Sequence, residues 1–421
     1  MTEHDRRQTF KPSPRPAWMQ TLNAIGNGLD IRSIVPLTPE SLLQQARANT
    51  GLEDLGGDNW QEPFSILMNS ADNEADLHLG GRLLMRTELL IYLEARLQLI
   101  EAFKRSPELN AEVVDAPVFI TGYGRSGTTI LLEVMAQDPQ FRVAQKWESL
   151  FPVPAPEEAT YDADPRIEKT NHVNKLIEEI TPEFAGLHKM GGNLPIESLE
   201  FEYVSFVSEI FPMIIQVPSY SAYLRTQDLS VAFEWQKKFL QLLQSKYKAS
   251  HWLMKSPSHL LHLQKYLRVF PGMRLIFAHR DPIVSADSVV SFMGTLFWQR
   301  TDNIWREQND LEVLSMAEQR AKAWDDVIAM IEDGRLAKGM YANFYYDQFV
   351  RDPIAAIASV YDQLGMTLTP AAADKMRAYL ANKFKGKHGA HLYEQAPVNA
   401  VESERPLYQR YQTFFNVPNE I

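Results

Sequence analysis

Thr121-Gly122-Tyr123-Gly124-Arg125-Ser126-Gly127-Thr128-Thr129 is the stretch whose reading decides the fold. It follows the apolar run Pro117-Val118-Phe119-Ile120 and opens a helical pattern from Thr128 to Gln137, which Asp138-Pro139 stops. A Gly-rich turn between a strand and a helix lets successive backbone N–H groups and the positive helix end face a phosphate. Gly122 and Gly127 are five apart and Thr129 takes the last place, so the frame G-x-x-x-x-G-K-[ST] is nearly met. The chemistry differs. Thr128 stands where a Lys would bridge β- and γ-phosphates, and the cation has moved back into the loop as Arg125. Such a turn can hold a phosphate but lacks a basic part of nucleoside triphosphate hydrolysis.

Similar strand-then-helix units recur along the chain. His251 to Met254 leads into a helix from about Ser258 to Arg268, and Arg274 to Ala278 into one from about Ile283 to Phe292. Tyr341 to Tyr345 leads into Ile354 to Leu364, closed by Gly365. This alternation predicts an α/β fold, a P-loop-like parallel sheet flanked by helices. Before it lies an N-terminal helical region, 1–115. Residues 1 to about 36 read as a loose arm, Thr38-Pro39 starts a helix that ends before Gly51, and Arg82 to Phe103 reads as an amphipathic helix with an apolar stripe. The sheet domain is expected over 116–395, with a largely helical capping insertion at about 151–250 and a C-terminal tail at 396–421. The insertion holds a Pro-rich stretch and an amphipathic helix near Phe233 to Tyr247.

Composition narrows the function. Among 421 residues, Lys plus Arg is 42 and Asp plus Glu is 53, a net charge of −11, so a global basic footprint for nucleic acid is absent. An anionic ligand must therefore be held by a local cluster of cations. Cys is 0, which removes disulfides, thiolate nucleophiles, Cys-ligated zinc and iron–sulfur clusters. Met1 to Arg7 is polar, and no run of 18 residues lacks polar interruption, so neither a secretory signal nor a membrane span is expected and the cytoplasm is the expected compartment.

Gly-Arg-Ser-Gly-Thr-Thr, residues 124–129, resembles the loop by which sulfotransferases hold the 5′-phosphosulfate of 3′-phosphoadenosine-5′-phosphosulfate, PAPS. It is similar to the Arg-containing branch, with many bacterial members and the tyrosylprotein enzymes. Arg125, Ser126, Gly127, Thr128 and Thr129 match position by position; Tyr123-Gly124 departs from the Leu-Pro common before the Arg. A second match is His279-Arg280-Asp281-Pro282 with Ser288. A cation at a strand end and a hydroxyl two turns into the next helix can converge on one phosphate. The resemblance implies that Arg280 and Ser288 hold the 3′-phosphate. It further implies Lys255 as the cation on the transferred sulfuryl group, Tyr346 against the adenine, and Lys385-Gly386-Lys387 as a basic loop over the 3′-phosphate.

The resemblance points to Glu148, in Trp147-Glu148-Ser149, as general base. Cytosolic relatives carry a catalytic His two residues after the Lys; here Pro257 occupies that place and the nearest imidazole is His259, so either Glu148 or His259 is the base. The expected reaction is sulfuryl transfer from PAPS to a hydroxyl of a small-molecule acceptor, releasing 3′,5′-ADP, with no metal required. Aromatic residues such as Phe151, Phe201, Tyr203 and Phe211 hint at an apolar, lipid-like acceptor. A P-loop kinase or NTPase and a catalytically inactive nucleotide-binding protein are the competing readings. Thr128 in the Lys position weighs against the first, and intact Arg125, Lys255, Arg280 and Ser288 against the second.

Overall fold

Among the described residues, five short segments pair as one parallel sheet: β1 (Val118–Gly122), β2 (Phe141–Arg142), β3 (His251–Lys255), β4 (Arg274–His279) and β5 (Tyr341–Tyr345). Their order is β2-β3-β1-β4-β5. Val118 lies opposite both Leu253 and Arg274, and Gly122 opposite Ala278. The chain leaves β1 for one side of the sheet, returns as β3, then continues as β4 on the other side. A crevice therefore opens at the carboxyl ends of β1, β3 and β4, where open α/β sheets bind ligands. The structure is a computed structural model that describes residues 11–421 except 58, 183, 185–189, 306–316 and 386–397, with backbone alone at 285–291, 384–385 and 398–400.

Every residue of β1 is buried, as a strand covered on both faces requires. Alternation splits its side chains between two cores. Val118 and Ile120 join Leu253, Ile276, Ala342 and Phe344 under the helices Thr128–Met135, Pro353–Gln363 and Pro370–Lys385. Phe119 joins Met254, Leu275 and Phe277 in a larger cluster that runs from Leu37 to Val417. The long helix Leu79–Arg105 contains the apolar stripe read from sequence.

Several boundaries differ from expectation. Residues 17–34 are not a loose arm: they form the helices Ala17–Gly26 and Ile31–Ile34, and Asn23 Oδ1 accepts the Gly80 N–H at 3.0 Å. The helix expected over Ser258 to Arg268 is a 3₁₀ turn, Pro257–His262, followed by Leu263–Val269. The helix after β4 runs from Pro282 to Trp298. No helix among the described residues is long and apolar enough to cross a membrane.

Candidate active site

The loop after β1 is built on two glycines. Gly122 has φ 148°, and a Cβ there would lie 2.4 Å from the Ala278 carbonyl oxygen. Gly127 has φ 89°, and its Cβ would lie 2.6 Å from the Tyr346 ring. Arg125 adopts φ 69°, a left-handed conformation rare for a residue with a side chain, so the loop holds local strain at the cation. Ser126 is buried and donates to the Tyr123 carbonyl at 2.7 Å, tightening the turn. Helix Thr128–Met135 then begins at Gly127 without a side-chain cap, so its first N–H groups face the crevice. The departure at Tyr123 is an anchor. Its hydroxyl donates to the Arg320 carbonyl at 2.7 Å, and its ring meets Trp324, Tyr408 and Tyr411 edge-on.

The loop forms one wall of a cleft of about 1250 Å³. Gly122 to Arg125, Thr128 and Thr129 face Lys255, Ser256, Ser258, Glu197 and Arg320 across it. Lys255 ends β3 and is 2% exposed, and its Nζ donates to Glu197 Oε1 at 2.5 Å. Glu197 is carried there from the insertion. Ile196 N–H donates to Ala144 O at 3.1 Å, and Lys146 N–H to Leu194 O at 3.0 Å, an antiparallel contact between 144–147 and 192–196. Glu197 then stands at the start of the 3₁₀ helix Ser198–Ser205. Ser198 Oγ lies 3.3 Å from the Lys255 carbonyl and 2.8 Å from His259 Nε2.

Neither base expected from sequence lines this cleft. Glu148 is fully buried in a capping box: Gln145 N–H donates to Oε2 at 2.8 Å and Arg142 to Oε1 at 2.6 Å. Tyr161 also donates to Oε2, at 2.7 Å. Burial pushes its carboxyl above the usual range, opposed by Arg142 and these hydrogen bonds. Three partners and no exposure suit a support, not a proton acceptor for substrate. Because Gln145 pairs with Pro195, Glu148 braces the turn that delivers Glu197. His259 is 1% exposed, with the rings of Phe119 and Tyr266 edge-on to it. Burial, with His262 and Lys255 nearby, holds it well below its ordinary pKa, so it is neutral. Its visible task is to orient Ser198.

Arg280 lies beside the loop. Its Nη1 donates to the Arg125 carbonyl at 3.0 Å, and its guanidinium carbon sits 4.6 Å from the centre of the Tyr346 ring. The guanidinium also grips Glu420: Nε lies 2.9 Å from Oε1, and Nη2 lies 2.9 Å from Oε2. Asp281, next in the chain, also has another partner. It caps helix Pro282–Trp298 and binds Arg405 at 2.7 and 3.0 Å. The structure thus brings together Arg125, Thr128, Thr129 and Lys255, with Arg280 and Tyr346 adjoining through Arg125 and Gly127. The side chains of Ser288 and Lys385, and all of Gly386 and Lys387, lie outside the described residues.

A second cavity of about 990 Å³ adjoins the cleft, sharing Glu197, Leu199, Met213 and Phe292 as walls. Its lining is largely apolar, from Ile177, Phe184, Met190, Ile196, Ile214 and Leu296. Its fixed charges are paired: Arg300 with Glu88 at 2.6 Å, and Lys146 with Glu200 at 2.5 Å. A strand-borne Gly loop, a buried Lys paired with a carboxylate opposite it and an apolar chamber behind form a group-transfer site of the sulfotransferase type. The model of the sulfotransferase family matches residues 117–370, more than half of the chain, and the chain belongs to that family. Its relatives include the omega-hydroxy-beta-dihydromenaquinone-9 sulfotransferase Stf3 of Mycobacterium tuberculosis and of Mycobacterium bovis. Each is 22% identical over 290 residues, 64% of this chain and 68% of theirs. In fold it is similar to the crystal structure of sulfotransferase STF9 from Mycobacterium avium, with a TM-score of 0.74 and 24% identity over 91% of this chain and 98% of that one. Sulfotransferase STF1 from Mycobacterium tuberculosis H37Rv superposes with a TM-score of 0.71 and 25% identity over 89% and 98%.

Proposed function

We propose that this sulfotransferase moves the sulfuryl group of PAPS to a hydroxyl of an apolar, lipid-like acceptor, with Glu197 as general base and Lys255 as the principal cation. The observation that carries the reading is the Lys255–Glu197 pair, in which Lys255 lines the loop cleft and Glu197 lines both the cleft and the apolar chamber. The loop suits a phosphosulfate: two positions too close-packed for a Cβ, a helix start and Arg125 supply N–H donors and charge where an anion would lie. Arg280, against Tyr346, suits a phosphate beside an adenine. Bound PAPS supplies an activated sulfuryl group. Glu197 takes the acceptor proton as the acceptor oxygen bonds to sulfur and the bond from sulfur to the phosphate oxygen breaks. Lys255 holds Oε1 of the carboxylate, which leaves Oε2 to meet the acceptor. Lys255, Arg125 and the loop N–H groups offset charge that collects on the departing 3′,5′-ADP, without a metal bridge.

The name of the Stf3 relatives, a hydroxylated menaquinone as acceptor, supports a long apolar alcohol here, as does the chamber lining. The test is transfer of labelled sulfate from PAPS to a panel of hydroxylated prenyl lipids and long-chain alcohols. Sulfated lipid and released 3′,5′-ADP in equal amounts are the expected outcome. Phosphoryl transfer from ATP to the same alcohols, with PAPS inert, would replace this reading with a kinase.

A further inference from the structure

We infer that the chamber reads a second hydrogen-bonding group on the acceptor, neutral and able both to donate and to accept, and that Asn174 is the residue that reads it; this rests on the reading of the chamber as the acceptor site. Asn174 lies on helix Pro165–Ile180, is 3% exposed, and lines the chamber without lining the loop cleft. Among the described residues, neither its amide nitrogen nor its amide oxygen has a hydrogen-bond partner. A buried amide with neither end satisfied is costly, and native interiors pair such groups almost without exception. Ligand pockets are where a few polar groups are left to be completed by the ligand.

The surroundings say what completes it. Asn174 offers N–H donors and a carbonyl acceptor, so its full complement is a group with both capacities, such as a hydroxyl or a carboxamide. A carboxylate would satisfy only the N–H side, and it would share the chamber with Glu88 and Glu200, whose cations are already engaged. An ammonium would satisfy only the carbonyl. Glu197 lies on the wall toward the loop, and Ile177, Leu199, Met213 and Phe292 supply apolar lining to the same chamber. The acceptor class is therefore an apolar molecule with a hydroxyl at the reacting end and a second neutral hydrogen-bonding group further in.

The experiment is calorimetric binding of 1,ω-alkanediols and 1-alkanols of matched length, over a series of lengths, to the full chain saturated with 3′,5′-ADP. Transfer from PAPS is assayed alongside. In the wild type the best diol should bind about tenfold more tightly than the alkanol of equal length. Asn174→Leu, which fits the apolar walls, should bring the two within about twofold of each other or favour the alkanol. Asn174→Ala serves as the second variant and should do the same. Equal binding of diol and alkanol by the wild type overturns the inference, as does a diol preference that survives both substitutions. A preference that depends on Asn174 while no sulfate leaves PAPS would support the inference and refute the sulfuryl-transfer reading, so the two failures are distinct.

Discussion

Glu420→Gln should tighten the binding of 3′,5′-ADP. The wild-type carboxylate takes Arg280 through both oxygens, at 2.9 Å from Nε and from Nη2, using the N–H groups that a 3′-phosphate would need. The pair is partly open to water, with side chains 20% and 35% exposed, so its net worth is about 1 kcal/mol, the upper end for exposed pairs. A phosphate that displaces the carboxylate gives up that amount. Replacing the charge with an amide of the same shape returns most of it, a gain of roughly three- to fivefold in Kd. The tail itself should stay in place, because Glu420 N–H binds Asp281 at 2.7 Å and Arg405 binds the Ile421 carbonyl at 2.8 Å. Titration calorimetry of wild type and Glu420→Gln, with 3′,5′-ADP and with 5′-AMP, measures the effect. 5′-AMP, which has no 3′-phosphate, should bind both proteins alike. Unchanged or weaker binding of 3′,5′-ADP to Glu420→Gln would refute the placement of that phosphate on Arg280.

Glu148→Gln should act on stability before chemistry: breaking its buried pair with Arg142 costs about 3 kcal/mol, read as a lowered melting temperature, while kcat per folded molecule falls far less than in Glu197→Gln. Glu202 is buried, and its carboxyl is pushed up to about 8 by desolvation, against hydrogen bonds from Tyr266 and Ser208. The folded state then holds a proton that the unfolded chain has lost between about pH 4.5 and 8, so this group makes stability fall as pH rises through that window. Glu202→Gln should flatten that fall, and its melting temperature relative to wild type should be higher at pH 8.5 than at pH 5. Chelation of divalent metals should leave sulfate transfer unchanged, because Lys255, Arg125 and the loop N–H groups supply the positive potential; a rate abolished by chelator and restored by magnesium would contradict this.

Features written in consecutive residues were legible in the sequence. The nine-residue loop after an apolar run fixed the position of β1 and its helix, and β4 and β5 read directly from apolar runs ahead of helical patterns. Arg125 was singled out as the cation of the Gly-rich loop and Lys255 through the family resemblance, and both line the cleft. What long-range contacts create was not legible. Glu197 lies 58 residues from Lys255, and long-range contacts, among them the one between 144–147 and 192–196, carry it to the cleft. Arg280 and Glu420 are 140 residues apart. Glu148 was read as the base because its position after the loop helix is right; the side chain turns inward to close a capping box. One signal pointed that way, the three-residue spacing from Gln145 to Glu148, which is the spacing of such a box. The N-terminal segment read as irregular from its Pro and Gly content, yet Met19 and Asn23 bury against the long helix and order it.

Single-turnover sulfate transfer from PAPS to a long-chain alcohol, by wild type and Glu197→Gln, tests the central claim most directly. The substitution removes the proton acceptor while leaving the loop, Arg280 and the chamber in place. The rate should fall by about 10²- to 10⁴-fold with 3′,5′-ADP affinity unchanged. A Glu197→Gln enzyme that transfers sulfate as fast as wild type would contradict the account and return the role of base to another residue.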